Sequence, residues 1–514
     1  MKVLPARAVR LLLVLNLVFC IALIILGSEL SGSAQDDTGK QLETGKSVSD
    51  TAGTSKTAQA PKGLKARLKE IKGSEEETSF LDRFLSIFGL LAMLGLAFAF
   101  SKSRKSIDWK LVGWGVGLQF IFALLILKTY PGQWVFQQLS DVVNILLSFT
   151  EDGARFVFGN LVKNNVPVGQ PLGDSMMGPV LDPSSYANTG AFFAFNVLPT
   201  IIFFSSLMTV MYHLGIMQLL VRAAAWIMQK TMGTSGAETL SAAGNIFVGQ
   251  TEAPLMIRPY VDKMTTSELM AVMTGGFATI AGGVLAAYVG MLRHVFPDIA
   301  GHLIAASVMS APAALVIAKI MNPETEESLT KGKVKIDVER PDANIIDAAA
   351  RGASDGLRLA LNVGAMILAF IALIAMINFI IMGLGNLVGL EGLTFQKLVG
   401  YIFWPLAWVI GIPTEDCLAA GQLLGEKTIL NEFVAFLHLE QIISGGHQLS
   451  YRTVVILTYA LAGFSNLGSI AIQLGGIGGI APNRRKDLAR LGLRAMIAGT
   501  LACLMTATLA GMLI

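Results

Sequence analysis

Eight long apolar segments recur along the chain after residue 80, and their lengths limit what it can fold into. Each segment is close to or above the roughly 20 residues that an α-helix needs to cross a bilayer. The composition agrees, because 53% of the residues are hydrophobic and 15% are charged, whereas soluble domains are about 25% charged. We therefore predict an all-α polytopic membrane protein with spans at 84–100, 111–127, 269–292, 299–320, 359–384, 454–482 and 491–514. The segment at 193–227 is predicted to contain one further span plus an extension.

The positions of the cationic residues predict the orientation of these spans. Lys102, Arg104, Lys105 and Lys110 follow the first span, and the loop at 322–358 is also rich in Lys and Arg. Short loops with such charges usually face the cytoplasm, so the first span is expected to start outside. The net charge of +3 gives no indication of a nucleic-acid partner, and the three cysteines have no metal-binding or disulfide spacing.

The N-terminal region has two parts. In residues 1–34, Lys2, Arg7 and Arg10 precede an apolar run, which predicts a signal peptide or an uncleaved anchor. Residues 35–79 contain few large apolar side chains and are predicted to form a disordered external tail. Further along, 134–149 is predicted to be an amphipathic helix on the external membrane surface.

A polar sequence interrupts the apolar pattern at Gly244-Asn-Ile-Phe-Val-Gly-Gln-Thr-Glu-Ala-Pro-Leu255. A carboxylate in such surroundings is costly unless it faces a cavity, which makes it a candidate functional residue. Gly249 and Pro254 indicate that one short helix ends and another begins here. The sequence predicts a re-entrant hairpin whose tip lies against protein or water.

A second interrupted pair follows at 393–439, where Gly425-Glu-Lys427 precedes a further carboxylate, Glu432. Both interrupted pairs are followed by a glycine-rich span. The first of these spans is predicted to break at Gly275-Gly276 and Gly282-Gly283. The second is predicted to break at 463–469 and again at 475–479. Counting spans gives the two halves opposite orientations, and paired interruptions of this kind are typical of the midplane site of a secondary transporter.

Four motifs closely resemble the concentrative nucleoside transporter family: the 244–255 sequence above, Thr274-Gly-Gly-Phe-Ala-Thr-Ile-Ala-Gly-Gly283, Asn431-Glu-Phe-Val-Ala435 and Gly463-Phe-Ser-Asn-Leu-Gly-Ser469. The resemblance covers the chain from about residue 80. It implies eight core spans, two opposed re-entrant hairpins forming an inverted repeat, and a homotrimer in the plasma or inner membrane. It also implies uptake of nucleosides such as uridine and adenosine, driven by a sodium or proton gradient and without another cofactor.

On this basis we divide the chain into functional regions. Residues 80–234 hold the first spans and the external helix as a scaffold, and 322–394 hold the cytoplasmic loop and a further scaffold span. Residues 235–321 and 395–514 are the two halves of a transport unit. Each half contains a hairpin, a broken helix and a following span.

The resemblance also implies roles for individual residues. It places Gln250, Thr251 and Glu252 against the nucleobase, and Glu432, Asn466 and Ser469 against the ribose, with Val284 and Phe464 as apolar neighbours of the base. The chemistry is suitable, because vicinal hydroxyls donate strong charge-assisted hydrogen bonds to a carboxylate. Amide side chains can donate and accept hydrogen bonds at the same time.

The family positions for a sodium ion are Asn245, Val248, Thr251, Thr279 and Ile280. Unwound backbone at such breaks offers carbonyl oxygens to the ion. Proton coupling through Glu252 or Glu432 is the alternative, because desolvation can raise the pKa of a carboxyl group.

The same residues also fit other roles. Glu252 and Glu432 could be structural carboxylates paired with a cation, such as Arg258 for Glu252. Gln250 and Thr251, or Asn466 and Ser469, could simply cap helices. A channel or facilitator is the nearest functional alternative and a membrane scaffold the least specific one. The sequence has no metalloprotease or nucleophile-elbow motif and no phosphate-binding loop, so we predict neither an enzyme nor an ATP-driven pump.

Overall fold

The computed structural model describes residues 80–163, 165–167, 171–175, 178–181, 186–188, 193–330, 342–387, 389, 392–445 and 449–514. The leader predicted at 1–34 and the tail predicted at 35–79 lie outside the described residues. Part of the charged loop predicted at 322–358 also lies outside them.

The described residues are almost entirely helical. The helices are α1 Phe80–Ala99, α2 Trp109–Lys128, α3 Tyr130–Phe158, α4 Leu198–His213, α5 Ile216–Met232, α6 Gly236–Gly244, α7 Arg258–Val261, α8 Thr266–Ala278, α9 Gly282–Leu292, α10 Ile299–Met321, α11 Ile345–Leu387, α12 Phe395–Val409, α13 Cys417–Ile429, α14 Glu432–Ser444, α15 Tyr451–Leu461, α16 Leu467–Ile480 and α17 Arg485–Leu513.

Two short antiparallel strand pairs depart from the all-α prediction. Strand β1 (Asn165–Pro167) pairs with β4 (Tyr186–Asn188), and β2 (Pro171–Ser175) pairs with β3 (Gly178–Leu181). The prolines in this segment oppose helix formation, because proline lacks the amide hydrogen that a helix requires. The amphipathic helix predicted at 134–149 is present within the longer α3.

In the described part of the chain, six helices are long and apolar enough to cross a membrane. They are Trp109–Lys128, Phe193–His213, Thr266–Leu292, Ile299–Met321, Ile345–Leu387 and Pro482–Leu513. The spans predicted at 84–100 and 454–482 correspond to the shorter apolar helices Leu85–Ala99, Tyr451–Leu461 and Leu467–Ile480. These helices differ in how much of their surface the protein covers. In α10, 89% of the apolar window is buried, whereas in α11 only 11% is buried. Helix α10 is therefore central and α11 peripheral.

Helix α4 is the neighbour of the peripheral α11. A Cβ atom at Gly352 or Gly356 of α11 would lie within 2.8 Å of α4 atoms, including Ser206 Cα and Ile202 Cα. Small residues permit such close helix approach where lipid provides no hydrophobic driving force between helices. The pairing joins one helix from each of the two regions that the sequence predicts to be scaffold.

Two halves of the chain repeat the same order of elements. In the first half, α6 and a 3-10 helix at Ala253–Ile257 form a helical pair, α8 and α9 form a broken helix, and α10 follows. In the second half, α13 and α14 form the pair, α15 and α16 the broken helix, and α17 follows. The order agrees with the repeat predicted from the sequence.

Contacts along α17 show that the two broken helices approach each other from opposite directions. Near the start of α17, Arg484 donates to Asp262 O, just before α8 (3.1 Å). Near its end, Arg452 at the start of α15 donates to Gly511 O (2.6 Å). Between these levels, Cys503 Sγ lies 3.5 Å from both Ala278 O and Ala462 O, where α8 and α15 end. The carboxyl-terminal ends of α8 and α15 therefore meet near the middle of α17.

Buried polar contacts hold the base of each helical pair to the broken helix that follows. Lys319 of α10 contacts Glu238 of α6 (2.8 Å) and donates to Ser267 of α8 (3.0 Å). Asp416, immediately before α13, accepts hydrogen bonds from Ser450 and Thr453 at the start of α15 (2.9 and 2.6 Å). Because one buried group touches several elements, these contacts oppose independent movement of the pair and its broken helix.

The predicted positions of the helix breaks were partly wrong. Helix α8 continues through Gly275-Gly276 and ends before Thr279, while α9 begins at Gly282. Helix α16 likewise continues through 475–479, and its actual break lies at 462–466. In the second helical pair, α13 continues through Gly425-Glu-Lys427, and the turn lies at Leu430–Asn431, directly before Glu432.

Close packing explains several of these glycines. A Cβ at Gly276 would lie 2.8 Å from Gln250 Cβ, and one at Gly476 would lie 2.6 Å from Thr251 Cγ2. These glycines therefore admit the tip of the first helical pair between α8 and α16.

Candidate functional site

Glu432 begins α14 and is buried at the tip of the second helical pair, with 5% of its surface exposed. Its carboxylate accepts a hydrogen bond from Tyr288 OH of α9 (2.9 Å) and one from Asn466 Nδ2 (3.0 Å). Asn431 caps the same helix by accepting from Val434 N (2.9 Å). A negative group is favoured at a helix amino terminus, so the turn and the two donors hold this carboxylate in one position.

Asn466 connects the second tip to α16. Its Oδ1 caps α16 by accepting from Ser469 N (2.8 Å), while its Nδ2 donates to Glu432. The capping interpretation is thus correct for Asn466, but it is incomplete, because the same amide also orients the buried carboxylate. Ser469 Oγ in turn accepts from Gln250 Nε2 (3.2 Å), which extends the path to the first tip.

Gln250 completes a continuous set of hydrogen bonds between the two tips. Its Oε1 accepts from Gln473 Nε2 (3.1 Å), and the same Gln473 nitrogen donates to Met273 O of α8 (3.0 Å). Polar contacts therefore join α9, α14, α16, the first tip and α8. Gln250 does not cap the following 3-10 helix, which has no side-chain cap.

Thr251 and Glu252 differ from Gln250 in their surroundings. Thr251 is half-buried and packs against Gly476 of α16. Glu252 is exposed, and its Oε2 accepts from Gly249 N (3.2 Å) within its own turn. No ion pair joins Glu252 to Arg258 or to any other cation that the structure describes. The structure thus gives no support to a paired structural carboxylate at this position.

The two predicted apolar contacts lie beside the polar path. Val284 is buried in the first turn of α9, four residues before Tyr288, so the two share a helix face. Phe464 is half-buried in the break between α15 and α16, and its carbonyl accepts from Asn466 N (2.9 Å). Contact of either side chain with a ligand stays a prediction.

Asn245 is fully buried after the end of α6, and neither its Oδ1 nor its Nδ2 has a hydrogen-bond partner among the described residues. A Cβ at Gly275, in the last turn of α8, would lie 3.1 Å from Nδ2. A buried amide without partners costs free energy, about 1–3 kcal/mol. The position of Asn245 therefore suits a ligand that supplies the missing interaction.

The other predicted ion ligands belong to the same two turns. Thr279 follows α8 directly and donates to Gly275 O (2.9 Å), while Ile280 is fully buried in the break. Gly282 N donates to Phe247 O (3.1 Å), which ties the first tip to the start of α9 next to Val248. The group offers hydroxyl, amide and main-chain oxygens and no carboxylate, a hard and neutral set that fits a monovalent cation. The described residues contain no group of three or more His, Cys, Asp or Glu side chains that could hold a metal.

Three buried polar residues near the site were not singled out from the sequence. Gln473 and Tyr288 follow Ser469 and Val284 by four residues, so one helical turn separates each from a predicted residue. Lys427 of α13 is 1% exposed and donates to Ala460 O in the last turn of α15 (2.7 Å). For Gln473 and Tyr288, the indication available in the sequence was a polar residue on the same face of an apolar helix as a predicted site residue.

Comparison with known families assigns most of the chain. Residues 302–511 match the family described as Na+ dependent nucleoside transporter C-terminus, and 88–161 match its N-terminus. Residues 194–294 match the family described as nucleoside recognition. An uncharacterized transporter of Haemophilus influenzae is 46% identical over 433 residues, which are 84% of this chain and 97% of that protein. The chain belongs to the concentrative nucleoside transporter family.

Other similar proteins agree with this assignment. Mouse sodium/nucleoside cotransporter 1 is 42% identical over 445 residues, covering 84% of this chain but only 64% of the mouse protein. A structure of CNTnw in an inward-facing substrate-bound state has a TM-score of 0.74 at 43% identity, covering 84% of this chain and 97% of that one. A variant of CNTnw in an outward-facing state has a TM-score of 0.75 at 42% identity and covers 98% of that chain.

Family membership confirms the predicted resemblance and implies an integral membrane protein. The relatives are transporters and not enzymes by their names, in agreement with the prediction from the sequence.

Proposed function

We propose that this chain imports nucleosides by symport with sodium, using a site between the tips of two re-entrant hairpins. The observation that carries the proposal is the continuous set of hydrogen bonds from Tyr288 through Glu432, Asn466, Ser469 and Gln250 to Gln473. It brings together, from widely separated parts of the sequence, residues that can recognise a small molecule with many hydroxyl and amide groups.

The ribose binds on the side of the second tip. Glu432 accepts from the vicinal hydroxyls, while Asn466 and Ser469 supply one amide and one hydroxyl beside it. Its two present donors, Tyr288 OH and Asn466 Nδ2, fix the carboxylate before substrate arrives. A prepositioned acceptor loses less conformational entropy on binding.

The nucleobase binds on the side of the first tip. Gln250, Thr251 and Glu252 face its polar edge, with Val284 and Phe464 against its faces. Sodium binds where Asn245 has an unpaired buried amide, with Thr251, Thr279 and the carbonyl groups of Val248 and Ile280 as further ligands. Thr251 belongs to both groups, so ion binding orders the turn that presents Gln250, which couples the two ligands.

Alternating access follows from moving the hairpin-bearing halves against the scaffold. The contacts at Lys319 and Asp416 support movement of each hairpin together with its broken helix. The peripheral pair of α4 and α11 supports a separate scaffold. We propose eight membrane spans, a homotrimer and residence in the plasma or inner membrane, as expected for this family.

Uptake of labelled uridine and adenosine into proteoliposomes tests the proposal. The conditions are an inward sodium gradient, an inward proton gradient and no gradient, with protein-free vesicles as the control. We expect accumulation above equilibrium only with sodium. Accumulation only with protons would place coupling on a carboxyl group and support the alternative symport. Equilibration without accumulation would indicate a facilitator or channel, and no uptake would contradict the proposal.

A further inference from the structure

Gln473 is a fully buried glutamine on α16, one helical turn beyond Ser469. Its Nε2 donates both to Met273 O (3.0 Å) and to Gln250 Oε1 (3.1 Å). Gln473 is not among the residues proposed to contact a ligand, and from α16 its side chain links the first tip to the main chain of α8.

The main-chain oxygen of Met273 fixes which way both glutamine amides face. A carbonyl oxygen only accepts hydrogen bonds, so Gln473 must direct its NH2 group toward it. That nitrogen has two hydrogens, and the second points to Gln250. Gln250 must therefore turn its oxygen toward Gln473, which leaves its own NH2 group directed at Ser469. This chain of donors removes the ambiguity that usually attends amide orientation.

The fixed orientation determines what the first tip can offer to a ligand. One hydrogen of Gln250 Nε2 is used by Ser469 Oγ, and the other remains available. The oxygen of Gln250 is turned toward Gln473 and accepts from its Nε2. Gln250 therefore presents a hydrogen-bond donor toward the site, and rotating its amide would leave two NH2 groups facing each other.

We propose that Gln473 is a positioning residue that holds the Gln250 amide as a donor, so that the group of the base opposite Gln250 is a hydrogen-bond acceptor. The acceptors are a carbonyl oxygen or an unprotonated ring nitrogen of the nucleobase. This inference rests on the proposed nucleoside function and specifies which edge of the base that function recognises.

The packing around Gln473 allows this arrangement only where a glycine stands in α8. A Cβ at Gly276 would lie 2.8 Å from both Gln473 Nε2 and Gln250 Cβ. The two amides thus meet against bare helix backbone, which leaves little room for either amide to shift away from Met273 O.

Replacement of Gln473 by leucine removes the hydrogen bonds to Gln250 and Met273 with little change in side-chain volume. In proteoliposomes, we expect Gln473→Leu to raise the KM for nucleoside by about tenfold, the effect of about one lost hydrogen bond, with the maximal rate and the sodium dependence nearly unchanged. Gln441→Leu is the matched control, because Gln441 is exposed on α14. Gln473→Met serves if the leucine variant fails to fold.

A double-mutant cycle separates positioning from a general structural role. In a Gln250→Ala background the amide to be held is absent, so Gln473→Leu is expected to change KM by less than about twofold, well within the usual error of additivity. An undiminished effect in that background would overturn the proposal.

Specificity provides the second measurement, by competition against labelled uridine. The competitors are adenosine with its 1-, 3- and 7-deaza analogues and cytidine with 3-deazacytidine, in which one ring nitrogen acceptor becomes C–H. We expect the wild type to discriminate against at least one analogue and Gln473→Leu to lose most of that discrimination. Equal discrimination by both proteins, or none by the wild type, would overturn the inference. Failure of the wild type to take up any nucleoside would instead refute the proposed function.

Discussion

The two halves of the molecule have the same order of elements but different electrostatics where their broken helices end. In the second half, the Lys427 ammonium donates to Ala460 O in the last turn of α15. In the first half, the neutral and unpaired amide of Asn245 lies beside the last turn of α8. The carboxyl-terminal end of a helix favours a cation. The second half therefore contains its own cation at this position, whereas the groups that the structure describes at the corresponding position of the first half are neutral.

The two hairpin tips differ in the same way. Glu432 is buried and receives two side-chain donors, while Glu252 is exposed and accepts only from Gly249 N in its own turn. Side-chain contacts within the protein thus orient the carboxylate of the second tip more than that of the first. This difference supports the proposal that the ribose carboxylate lies at one tip and the ion site at the other.

The largest effect is expected from Glu432→Gln. Glutamine keeps the shape of the side chain but loses the charge that strengthens hydrogen bonds to two hydroxyls. We expect kcat/KM for uridine to fall roughly a hundredfold, corresponding to about 3 kcal/mol. Glu327→Gln is the matched control, because Glu327 is exposed outside the site. Near-normal uptake by Glu432→Gln, with similar thermal stability, would contradict the ribose assignment.

The next prediction concerns the ion. Here the substitution of a buried residue is expected not to lower the stability of the protein in the absence of sodium. Asn245→Leu removes a buried amide without partners, so in sodium-free buffer the variant is expected to be at least as stable as the wild type. In the wild type, sodium at 100 times its Kd adds about 2.7 kcal/mol of stability, and the variant is expected to lose that gain. Thermal unfolding in detergent with sodium, or with choline at equal ionic strength, measures both changes. If sodium stabilised the variant as much as the wild type, the ion would have to bind at a site that does not include Asn245.

Replacement of Lys427 provides the complementary test. Lys427→Met leaves Ala460 O without its donor and is expected to lower stability by about 1–3 kcal/mol. The loss is expected to be the same with and without sodium, because this cation belongs to the protein. Lys427→Arg, which keeps the charge, is the control for the charge itself. A loss that sodium reverses would show that an external ion can replace the ammonium, and the contrast between the halves would be reduced.

The sequence was sufficient for the features that depend on local composition. Polar residues interrupt apolar sequence at Gln250, Thr251 and Glu252, at Glu432 and at Asn466, so they could be named as candidates without coordinates. The contacts that join the two tips were beyond sequence reasoning, because they link distant positions, 219 residues apart for Gln250 and Ser469 and 223 for Gln250 and Gln473.

Glycine was the main source of error in the sequence analysis. Gly276 and Gly476 were interpreted as helix breaks, yet both lie within continuous helices against side chains of the first tip. A glycine can be required for backbone freedom or for the close approach of another element. Only the position of the neighbouring element shows which of the two applies. The short strands at 165–188 were missed because three to five residues per strand give too little alternation to recognise.

The smallest effect is expected from Glu252→Gln, the same substitution as at Glu432 but in the other tip. The amide oxygen of glutamine can still accept from Gly249 N, and the exposed position involves no buried charge. A neutral nucleobase does not require a full charge opposite it, so we expect KM to rise about two- to fivefold, corresponding to about 1 kcal/mol or less. Uridine uptake by both glutamate variants in one preparation gives the comparison. Losses of equal size would show that the tips are equivalent in function despite their different burial, and proton coupling through Glu252 would become the better hypothesis.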